Sequence, residues 1–401
     1  MSREMVNSGI PWIGEIPKGW EIDTIGNLYT LRNEKVSDKD YPPLSVSKMG
    51  VVPQLETAAK TDDGDNRKLV KVGDFAINSR SDRRGSCGIS AYDGSVSLIN
   101  TVITPREQMN PRFYNWLFHS ELFADEFYKW GHGIVDDLWT TRWQEMKRIS
   151  IVAPSLEEQQ KIASFLDGKC SEIDEMIALQ EKIVEELKAY KQSVITEAVT
   201  KGLNPDAPMK DSGIEWIGEI PQKWICPKNK YYTRIGSGDG ISNEELQDEG
   251  MYEVWGGGNS VMGYYHTYNI DEPRLIIGRV GACGYVKYSE GKRFISDNAL
   301  IMRITSPSIS YNYLYYVLVA AELSRLNTST AQPLITATKV YNVNIPIPPL
   351  DEQQSIVNYL GIKCTEIDNL ISIKLSKIDS LKEYKRSIIY EYVTGKKEVA
   401  E

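Results

Sequence analysis

Three arginines that suit phosphate or base contacts lie together in the first half of the chain. Arg80, Arg83 and Arg84 follow a short apolar run, and a Gly85-Ser-Cys-Gly88 segment comes after them. Guanidinium groups are forked donors that match phosphate oxygens or the O6 and N7 atoms of guanine. A strand that leads to arginines and then to a glycine turn is expected to place these donors at one exposed edge. We interpret the three arginines as candidate contacts, with a solvated basic turn as the alternative.

A shorter version of this pattern lies in the second half. Ile276-Ile-Gly-Arg279 precedes Gly281-Ala-Cys-Gly284, with three fewer residues between the arginine and the glycine than in the first copy. Arg279 is therefore a candidate contact as well. Cys87 and Cys283 are predicted to be small buried hydrophobes rather than nucleophiles, because no histidine adjoins them in the sequence.

Other segments rich in glycine or small polar residues are weaker candidates. Trp255-Gly-Gly-Gly-Asn259-Ser260 and Gly236-Ser-Gly-Asp-Gly240 are not nucleotide loops, since neither ends in G-K-[ST] and the second lacks the last glycine of G-x-G-x-x-G. Tight turns are the default interpretation of both. The small hydroxyl and amide side chains between Asn327 and Gln332 suit base edges, but they are equally typical of an exposed loop. The weaker candidates among these segments are Asn259, Thr328, Ser329 and Gln332.

The sequence shows no recognisable catalytic or metal-binding motif. Only three histidines are present, and none belongs to an H-E-x-x-H motif or a His/carboxylate cluster. A Walker loop and the N-P-P-[YF] tetrapeptide of adenine methyltransferases are also missing. Five cysteines have no ligand spacing, and their odd number argues against a disulfide framework. We expect no catalytic residue, no metal site and reduced thiols.

Charge and hydropathy restrict the class of protein further. The chain has 401 residues, a net charge of -9 and 41% hydrophobic residues, which is enough for the cores of two or three domains. The acidic surplus lies mainly in the helical segment after residue 154 and in the linker that follows it. The near-neutral blocks are compatible with local DNA contact but give it no support. No signal peptide or membrane span is recognisable, so we expect a cytoplasmic protein without membrane association.

Two segments that occur twice form the framework around these candidates. SGIPWIGEIPKGW, at residues 8–20, returns as SGIEWIGEIPQKW, at 212–224, with ten of thirteen positions identical. Residues 154–200 align without a gap on 348–394 and share 22 of 47 positions. Matches this dense indicate an internal repeat.

The blocks enclosed by the repeats are of similar size yet largely unlike. Each mixes short β-branched and aromatic runs with Gly, Asp and Asn turns and shorter helical stretches, which is typical of an α+β domain. A repeated framework around unlike blocks favours recognition of two different targets. The predicted division is a repeated segment at 1–20, a first domain at 21–153, a long helix at 154–203, a linker with the second repeated segment at 204–224, a second domain at 225–347 and a long helix at 348–401.

The longer repeat predicts a coiled-coil helix in each copy. Ser155 with Glu158 fits a capping box, and Gly202 with Pro205 fits a stop, so the first helix should run about 45 residues. Apolar residues recur every seven positions, and two such helices in one chain most simply pair antiparallel. The predicted seam positions are Leu166, Ile173, Gln180, Leu187 and Val194, then Leu360, Ile367, Lys374, Leu381 and Ile388.

Further features of these helices concern register and partners. The predicted companion stripe is Met176, Ile183, Tyr190, Leu370 and Tyr384. Gln180 and Lys374 interrupt the seam, and we interpret them as register devices, with partner contacts as the alternative. The Glu-Gln-Gln triplets at 158–160 and 352–354 are explained by the helix dipole alone. The outer faces either only support the blocks or dock other subunits.

The motifs in combination resemble the specificity subunit of type I restriction-modification systems. The resemblance rests on the S-G-I-x-W-I-G-E-I-P-x-x-W segments, the P-x-L-x-E-Q-Q helix openings and the I-x-x-R…G-x-C-G turns, and it covers nearly the whole chain. Residues 252–302 are similar to one common form of the family's target recognition domain, and residues 44–104 to another. Carried over onto these positions, the resemblance implies DNA contacts at Arg80, Arg83, Arg84, Ser86 and Arg279. The weaker DNA contacts are Lys68, Asn259, Ser260, Lys287, Thr328, Ser329 and Gln332.

The resemblance implies a fold and a role in host defence. It implies two target recognition domains held apart by an antiparallel pair of long helices in pseudo-twofold symmetry. Each domain would recognise one half of a bipartite, asymmetric site in double-stranded DNA, and the helices would set the spacer. Two methyltransferase subunits would supply adenine methylation with S-adenosylmethionine, and restriction subunits would supply cleavage with ATP and Mg. This chain itself would be no enzyme and would hold no cofactor.

Two other classes of protein stay open from the residues alone. One is a non-catalytic scaffold in which two ligand-recognising domains sit on a coiled-coil spacer. The other is an enzyme whose site has no recognisable motif. Neither the base sequence of a DNA target nor the spacer length follows from the sequence, because DNA shape contributes to recognition as well as direct contacts.

Overall fold

Each long helix is shared between two units of the fold. The computed structural model describes residues 3–55, 64–80, 83–106, 109–133, 139–327 and 334–399. The units are Met1–Gln180 with Ser376–Glu401, and Glu181–Leu375. The division falls inside both long helices, whereas the predicted division treated each helix as a separate domain. The physical reason is that each helix half shares a hydrophobic cluster with one globular block.

The helices begin and end largely where the sequence signals predict. The N–H of Glu158 donates to Ser155 Oγ at 3.3 Å, and Gly202 takes a left-handed φ of 74° just beyond the end of the first long helix. The helices are α1 (Ile25–Leu28), α2 (Pro111–Phe118), α3 (Glu121–Lys129), α4 (Trp143–Met146), α5 (Leu156–Lys201), α6 (Tyr311–Ala320), α7 (Ala337–Tyr341) and α8 (Leu350–Val393). Short 3-10 helices occupy Asn229–Tyr231 and Leu323–Leu326.

In the first unit, the halves of α5 and α8 pack antiparallel. The rings of Phe165 and Tyr392 have centroids 4.4 Å apart. Further along α5, Asp174 Oδ2 is 2.6 Å from Lys385 Nζ, which lies earlier in α8. Residue numbers therefore rise along one helix as they fall along the other.

The same packing recurs in the second unit. Lys191 Nζ is 2.7 Å from Asp368 Oδ2, and these residues are the repeat equivalents of the lysine and aspartate paired in the first unit. Val194 of α5 and Leu360 of α8 are buried in one hydrophobic cluster. The internal repeat is thus structural as well as sequential.

The predicted seam positions are all buried or half-buried. Gln180 places its Oε1 atom out of solvent without a hydrogen-bond partner among the described residues. Its role in fixing register, and that of Lys374, stays a prediction. The buried seam positions are Leu166, Ile173, Val194, Leu360, Ile367 and Ile388, and the half-buried ones are Gln180, Leu187, Lys374 and Leu381.

The predicted companion stripe is wrong. Met176 and Tyr190 are 41% and 57% exposed, and Leu370 and Tyr384 are each 48% exposed; Ile183 is half-buried. The inward positions come four residues after each seam position, not three; they are Cys170, Ile177, Val184, Lys191 and Ala198 in α5. Apolar pairs such as Ile183-Val184 fit both spacings, so the pattern alone did not decide between them.

The globular blocks are built from short strands. Those of the first unit are β1 (Met5–Asn7), β2 (Glu15–Pro17), β3 (Glu21–Thr24), β4 (Tyr29–Leu31), β5 (Lys35–Val36), β6 (Leu44–Ser47), β7 (Gly50–Pro53), β8 (Arg67–Val70), β9 (Phe75–Asn78), β10 (Cys87–Ile89), β11 (Gly94–Val96), β12 (Asn100–Pro105) and β13 (Ser150–Ala153). Those of the second are β14 (Met209–Asp211), β15 (Glu219–Pro221), β16 (Thr233–Ser237), β17 (Tyr252–Trp255), β18 (Val261–Tyr265), β19 (Arg274–Gly278), β20 (Val286–Ser289), β21 (Phe294–Ile295) and β22 (Ala299–Ile304).

The two unlike blocks share one sheet frame. The first unit has an antiparallel sheet in the order β10-β9-β12-β4, and the second has the order β20-β19-β22-β16, also antiparallel. The first helix after the third of these strands is α2 in one unit and α6 in the other. A three-stranded sheet adjoins each, β11-β8-β5 and β18-β17-β21. The chain is therefore α+β, with two domains of one frame and two long antiparallel helices.

The ends of each block meet where the repeats predict a boundary. Ala153 pairs with Glu21 in the β13–β3 ladder, and Ile347 pairs with Ile225 in an isolated bridge. The first and last residues of each block therefore pair with each other, immediately before the start of a long helix. Within the described ranges, no helix is both long enough and apolar enough to cross a membrane.

Candidate nucleic-acid interface

The two repeated motifs contact each other in each unit. Trp20 Nε1 donates to Glu158 Oε2 at 2.8 Å, and Trp224 Nε1 donates to Glu352 Oε2 at 2.9 Å. The tryptophan that ends the short repeat thus fixes the first turn of the long helix. The glutamate is explained by this bond as well as by the helix dipole.

The next residue of each Glu-Gln-Gln triplet attaches the globular block. Gln159 Oε1 accepts from the N–H of Asn110 at 2.8 Å, and Gln353 Oε1 accepts from the N–H of Ser310 at 3.0 Å. Asn110 and Ser310 are the N-caps of α2 and α6. This role of the glutamine was not predicted from the sequence, although the repetition of the triplet was the signal for it.

The arginines of the first unit follow β9 as predicted. Arg80 is half-buried, and its carbonyl accepts from Tyr128 Oη at 2.8 Å. Arg83 and Arg84 are exposed. Arg84 forms an ion pair with Asp125, and its Cζ lies 5.9 Å from the ring centroid of Tyr128. The three arginines therefore belong to one short segment, in which Arg84 already has an acidic partner.

Two predicted contacts in the first unit have other roles. Ser86 is buried, and its backbone carbonyl accepts from the N–H of Asn78 at 2.9 Å within the sheet frame. Lys68 Nζ donates to the carbonyl of Asn100 at 2.6 Å, and burial lowers the pKa of its amine. We therefore withdraw Ser86 and Lys68 as DNA contacts.

In the second unit, side chains from separate glycine-rich segments come together. Arg279 Nη1 donates to Ser237 Oγ at 3.3 Å, and Asn259 Oδ1 accepts from Tyr285 Oη at 2.9 Å. Asn259 and Ser260 are exposed at the tip of the turn between β17 and β18. The structure thus joins three turns that the sequence presented as unrelated.

Lys287 contacts the protein rather than extending into solvent. Its Nζ donates to the carbonyl of Gly258 at 2.7 Å and lies 4.5 Å from the ring centroid of Trp255. Arg293 also lies over this ring, with Cζ 4.3 Å from the centroid, and its Nε is 3.2 Å from Glu253 Oε2. Arg293 and Glu253 were not predicted from the sequence, because nothing in their spacing indicates contact with the same aromatic ring.

Backbone hydrogen bonds show how the arginine turn is placed in the first unit. The N–H of Asn78 donates to the carbonyl of Ser86 at 2.9 Å, and the carbonyl of Ser79 accepts from the N–H of Thr141 at 3.0 Å. Ser79 is therefore the residue at which β9 leaves the sheet, and Arg80 is one residue further along.

The second unit makes the same bonds with a different residue at that position. The N–H of Gly278 donates to the carbonyl of Tyr285 at 2.8 Å, and the carbonyl of Arg279 accepts from the N–H of Ile335 at 3.0 Å. Arg279 is thus equivalent to Ser79, not to Arg80. A shift by one residue along a strand moves a side chain to the other face, so the two arginines are not structural counterparts.

The Gly-x-Cys-Gly segments at 85–88 and 281–284 are consequently similar in sequence but not in structure. Cys87 lies in β10 and is buried as predicted, and burial raises the pKa of its thiol to about 12. Cys283 is only half-buried in a turn, with Sγ 3.0 Å from the carbonyl of Arg279. The candidates Thr328, Ser329 and Gln332 lie outside the described residues. Over the part of the chain that the structure describes, no group of three or more His, Cys, Asp or Glu residues could hold a metal ion.

Comparison with known proteins decides the family. The model of the type I restriction modification DNA specificity domain matches residues 17–189 and 233–393. The chain belongs to this family. The two matched regions each contain one globular block and most of one long helix, so the type I specificity domain occurs twice in the chain.

Individual type I specificity proteins resemble the chain over nearly its full length. The type I restriction enzyme MjaVIII specificity subunit of Methanocaldococcus jannaschii is 27% identical over 420 residues, which cover 95% of this chain and 93% of that protein. A chain in a structure described as the basis of complex assembly and conformational transition of the type I R-M system aligns with a TM-score of 0.71 at 17% identity, over 95% of this chain and 99% of that chain. The HsdS subunit from Thermoanaerobacter tengcongensis aligns with a TM-score of 0.50 at 18% identity, over 95% and 98%. These structures support the fold.

Proposed function

We propose that this type I specificity chain recognises double-stranded DNA, with each globular block contacting one half of a bipartite, asymmetric site. The observation that carries the proposal is one sheet frame with two different sets of edge residues. The first unit presents Arg80, Arg83 and Arg84, and the second presents Arg279 with the turn Gly256–Ser260. One frame with unlike edges lets a single chain recognise two unlike half-sites, and the helices set the spacer.

The outer faces of the helices are the proposed docking surface for two methyltransferase subunits. Met176, Leu179 and Tyr384 in the first unit, and Ile362 and Ile373 in the second, are between 41% and 63% exposed. We take these side chains as the candidate contacts, because contiguous exposed apolar surface marks protein–protein interaction sites. We assign adenine methylation with S-adenosylmethionine, and cleavage with ATP and Mg by restriction subunits, to the partners, and no catalytic step or cofactor to this chain.

The isolated chain is expected to bind DNA at least about 100-fold more weakly than the complex with its methyltransferase partners. The physical reason is charge: the chain has a net charge of -9, and Arg84, one of the candidate contacts, is already paired with Asp125. Phosphate contacts supply much of DNA affinity, so the partners must add basic surface. Gel-shift titrations of both forms at several salt concentrations measure this.

Two outcomes of that titration would count against the proposal. Tight, sequence-specific binding by the isolated chain would contradict the dependence on partners. A complex that binds every duplex alike would contradict the assignment of sequence recognition to this chain.

A further inference from the structure

The exposed turn between β17 and β18 is held by side chains on one side. Tyr285 donates its hydroxyl to Asn259 Oδ1 at 2.9 Å, and Lys287 donates its amine to the carbonyl of Gly258 at 2.7 Å. Lys287 lies in β20, an edge strand of the sheet frame, and Tyr285 immediately precedes that strand. Gly258 and Asn259, consecutive residues of the turn, are thus both hydrogen-bonded to side chains in or beside β20.

The environment of Lys287 suits a structural donor better than a phosphate contact. The side chain is half-buried, and its amine lies over the indole ring of Trp255. Burial and, to a smaller extent, the nearby Arg293 guanidinium together lower the pKa of Lys287 to about 8, against the opposing effect of Glu253. An amine enclosed in this way has one well-defined acceptor, the carbonyl of Gly258.

The indole ring itself is fixed by two further groups. Trp255 Nε1 donates to Glu253 Oε2 at 2.9 Å, and Arg293 Nε lies 3.2 Å from the same oxygen. Arg293 Nη1 also donates to the carbonyl of Glu290 at 2.8 Å. Because the ring is held at its edge and covered by a guanidinium, the position of Lys287 is determined by its surroundings.

The turn is also packed against the arginine segment of the same unit. A Cβ atom added to Gly257 would lie 2.8 Å from the carbonyl oxygen of Val280, and one added to Gly278 would lie 2.4 Å from that of Gly257. Real Cβ atoms do not approach so closely, so this contact between two backbones requires glycine. Displacement of the turn would therefore change its relation to Arg279.

We propose that Lys287 is a positioning residue that holds the turn Gly256–Ser260, so that Asn259, Ser260 and Arg279 act on the same DNA half-site. The inference rests on the proposed function, and it reassigns Lys287 from contact to support. Tyr285 contributes to the same support through Asn259. The specificity of this half-site then depends on residues that do not themselves touch DNA.

The test is Lys287→Met in the complex with its methyltransferase partners. Dissociation constants are measured for the wild-type target and for duplexes with single base-pair changes in each half. We expect discrimination to fall roughly tenfold in one half only, since a wrong base pair is normally penalised by about that factor. The slope of log affinity against log salt should stay unchanged, because no phosphate contact is removed.

Matched variants make the outcome decisive. Tyr285→Phe removes one hydroxyl and should relax the same half-site, whereas Tyr288→Phe removes a hydroxyl bonded to Glu290 and should change nothing. A uniform loss of affinity for all duplexes with a salt slope smaller by about one would identify Lys287 as a phosphate contact and overturn the inference. Full discrimination by Lys287→Met would overturn it as well. A wild-type complex without discrimination would instead contradict the proposed function.

Discussion

Replacing Arg80 and Arg83 together by alanine should abolish discrimination in one half of the DNA site and leave the other half intact. Both arginines belong to the segment that leaves the sheet frame after β9 in the first unit. A forked arginine contact to guanine contributes about 1–3 kcal/mol of discrimination, so two such contacts correspond to at least about 30-fold. Binding of the partner-bound complex to duplexes altered in either half measures the effect.

A matched variant separates recognition from general charge. Arg112→Ala removes one guanidinium from the same unit, but this side chain pairs with Asp167 of α5, so the replacement is expected to leave discrimination unchanged. Equal losses in both half-sites after the Arg80 and Arg83 replacement would contradict assignment of one half to one unit. Loss of the methyltransferase partners in that variant would also contradict it.

Leu166→Ala and Leu360→Ala should each destabilise one unit by about 2–5 kcal/mol. The two leucines are repeat equivalents, each 0% exposed, and each lies in the hydrophobic cluster of its own unit. Removing a buried leucine side chain loses its transfer free energy and leaves a cavity. Chemical denaturation measures the loss, and hydrogen exchange locates it. Leu166→Ala should speed exchange in the first unit, and Leu360→Ala in the second.

The control for these variants lies on the same helix. Leu179→Ala removes a side chain that is 56% exposed, so it should change the free energy of unfolding by less than about 0.5 kcal/mol. It should instead weaken binding of a methyltransferase subunit, because it belongs to the proposed docking face. A loss below about 1 kcal/mol in Leu166→Ala, or faster exchange in both units alike, would contradict the division of the helices between two units.

The framework could be predicted from the sequence because the chain contains it twice. A match of 22 in 47 residues, over segments whose only prolines stand at their start, required two similar long helices, and the observed bounds Leu156–Lys201 and Leu350–Val393 lie within the predicted ones. The seven-residue spacing found the seam at Leu166 and Ile173. It did not find the companion positions, since Met176 and Ile177 are both apolar and only packing selects Ile177.

The interface was harder to predict because the sequence does not show the register of a strand. Arg80 and Arg279 align in the sequence, yet the backbone hydrogen bonds make Ser79 the structural counterpart of Arg279. The burial of a side chain is equally hard to predict from the sequence. Lysine is usually a surface residue, but the amine of Lys68 donates to the carbonyl of Asn100. Side chains that bond to backbone carbonyls of distant segments leave no periodic signal in a sequence.

The measurement that tests the central claim most directly is modification-sensitive sequencing of DNA from a host that carries this gene with its partner genes. The same host without this gene is the comparison. We predict adenine methylation at one bipartite motif, present only when the chain is made, with each half of the motif assigned to one unit. A methylation pattern that stays the same with and without the chain, while the partner subunits are made, would contradict the account.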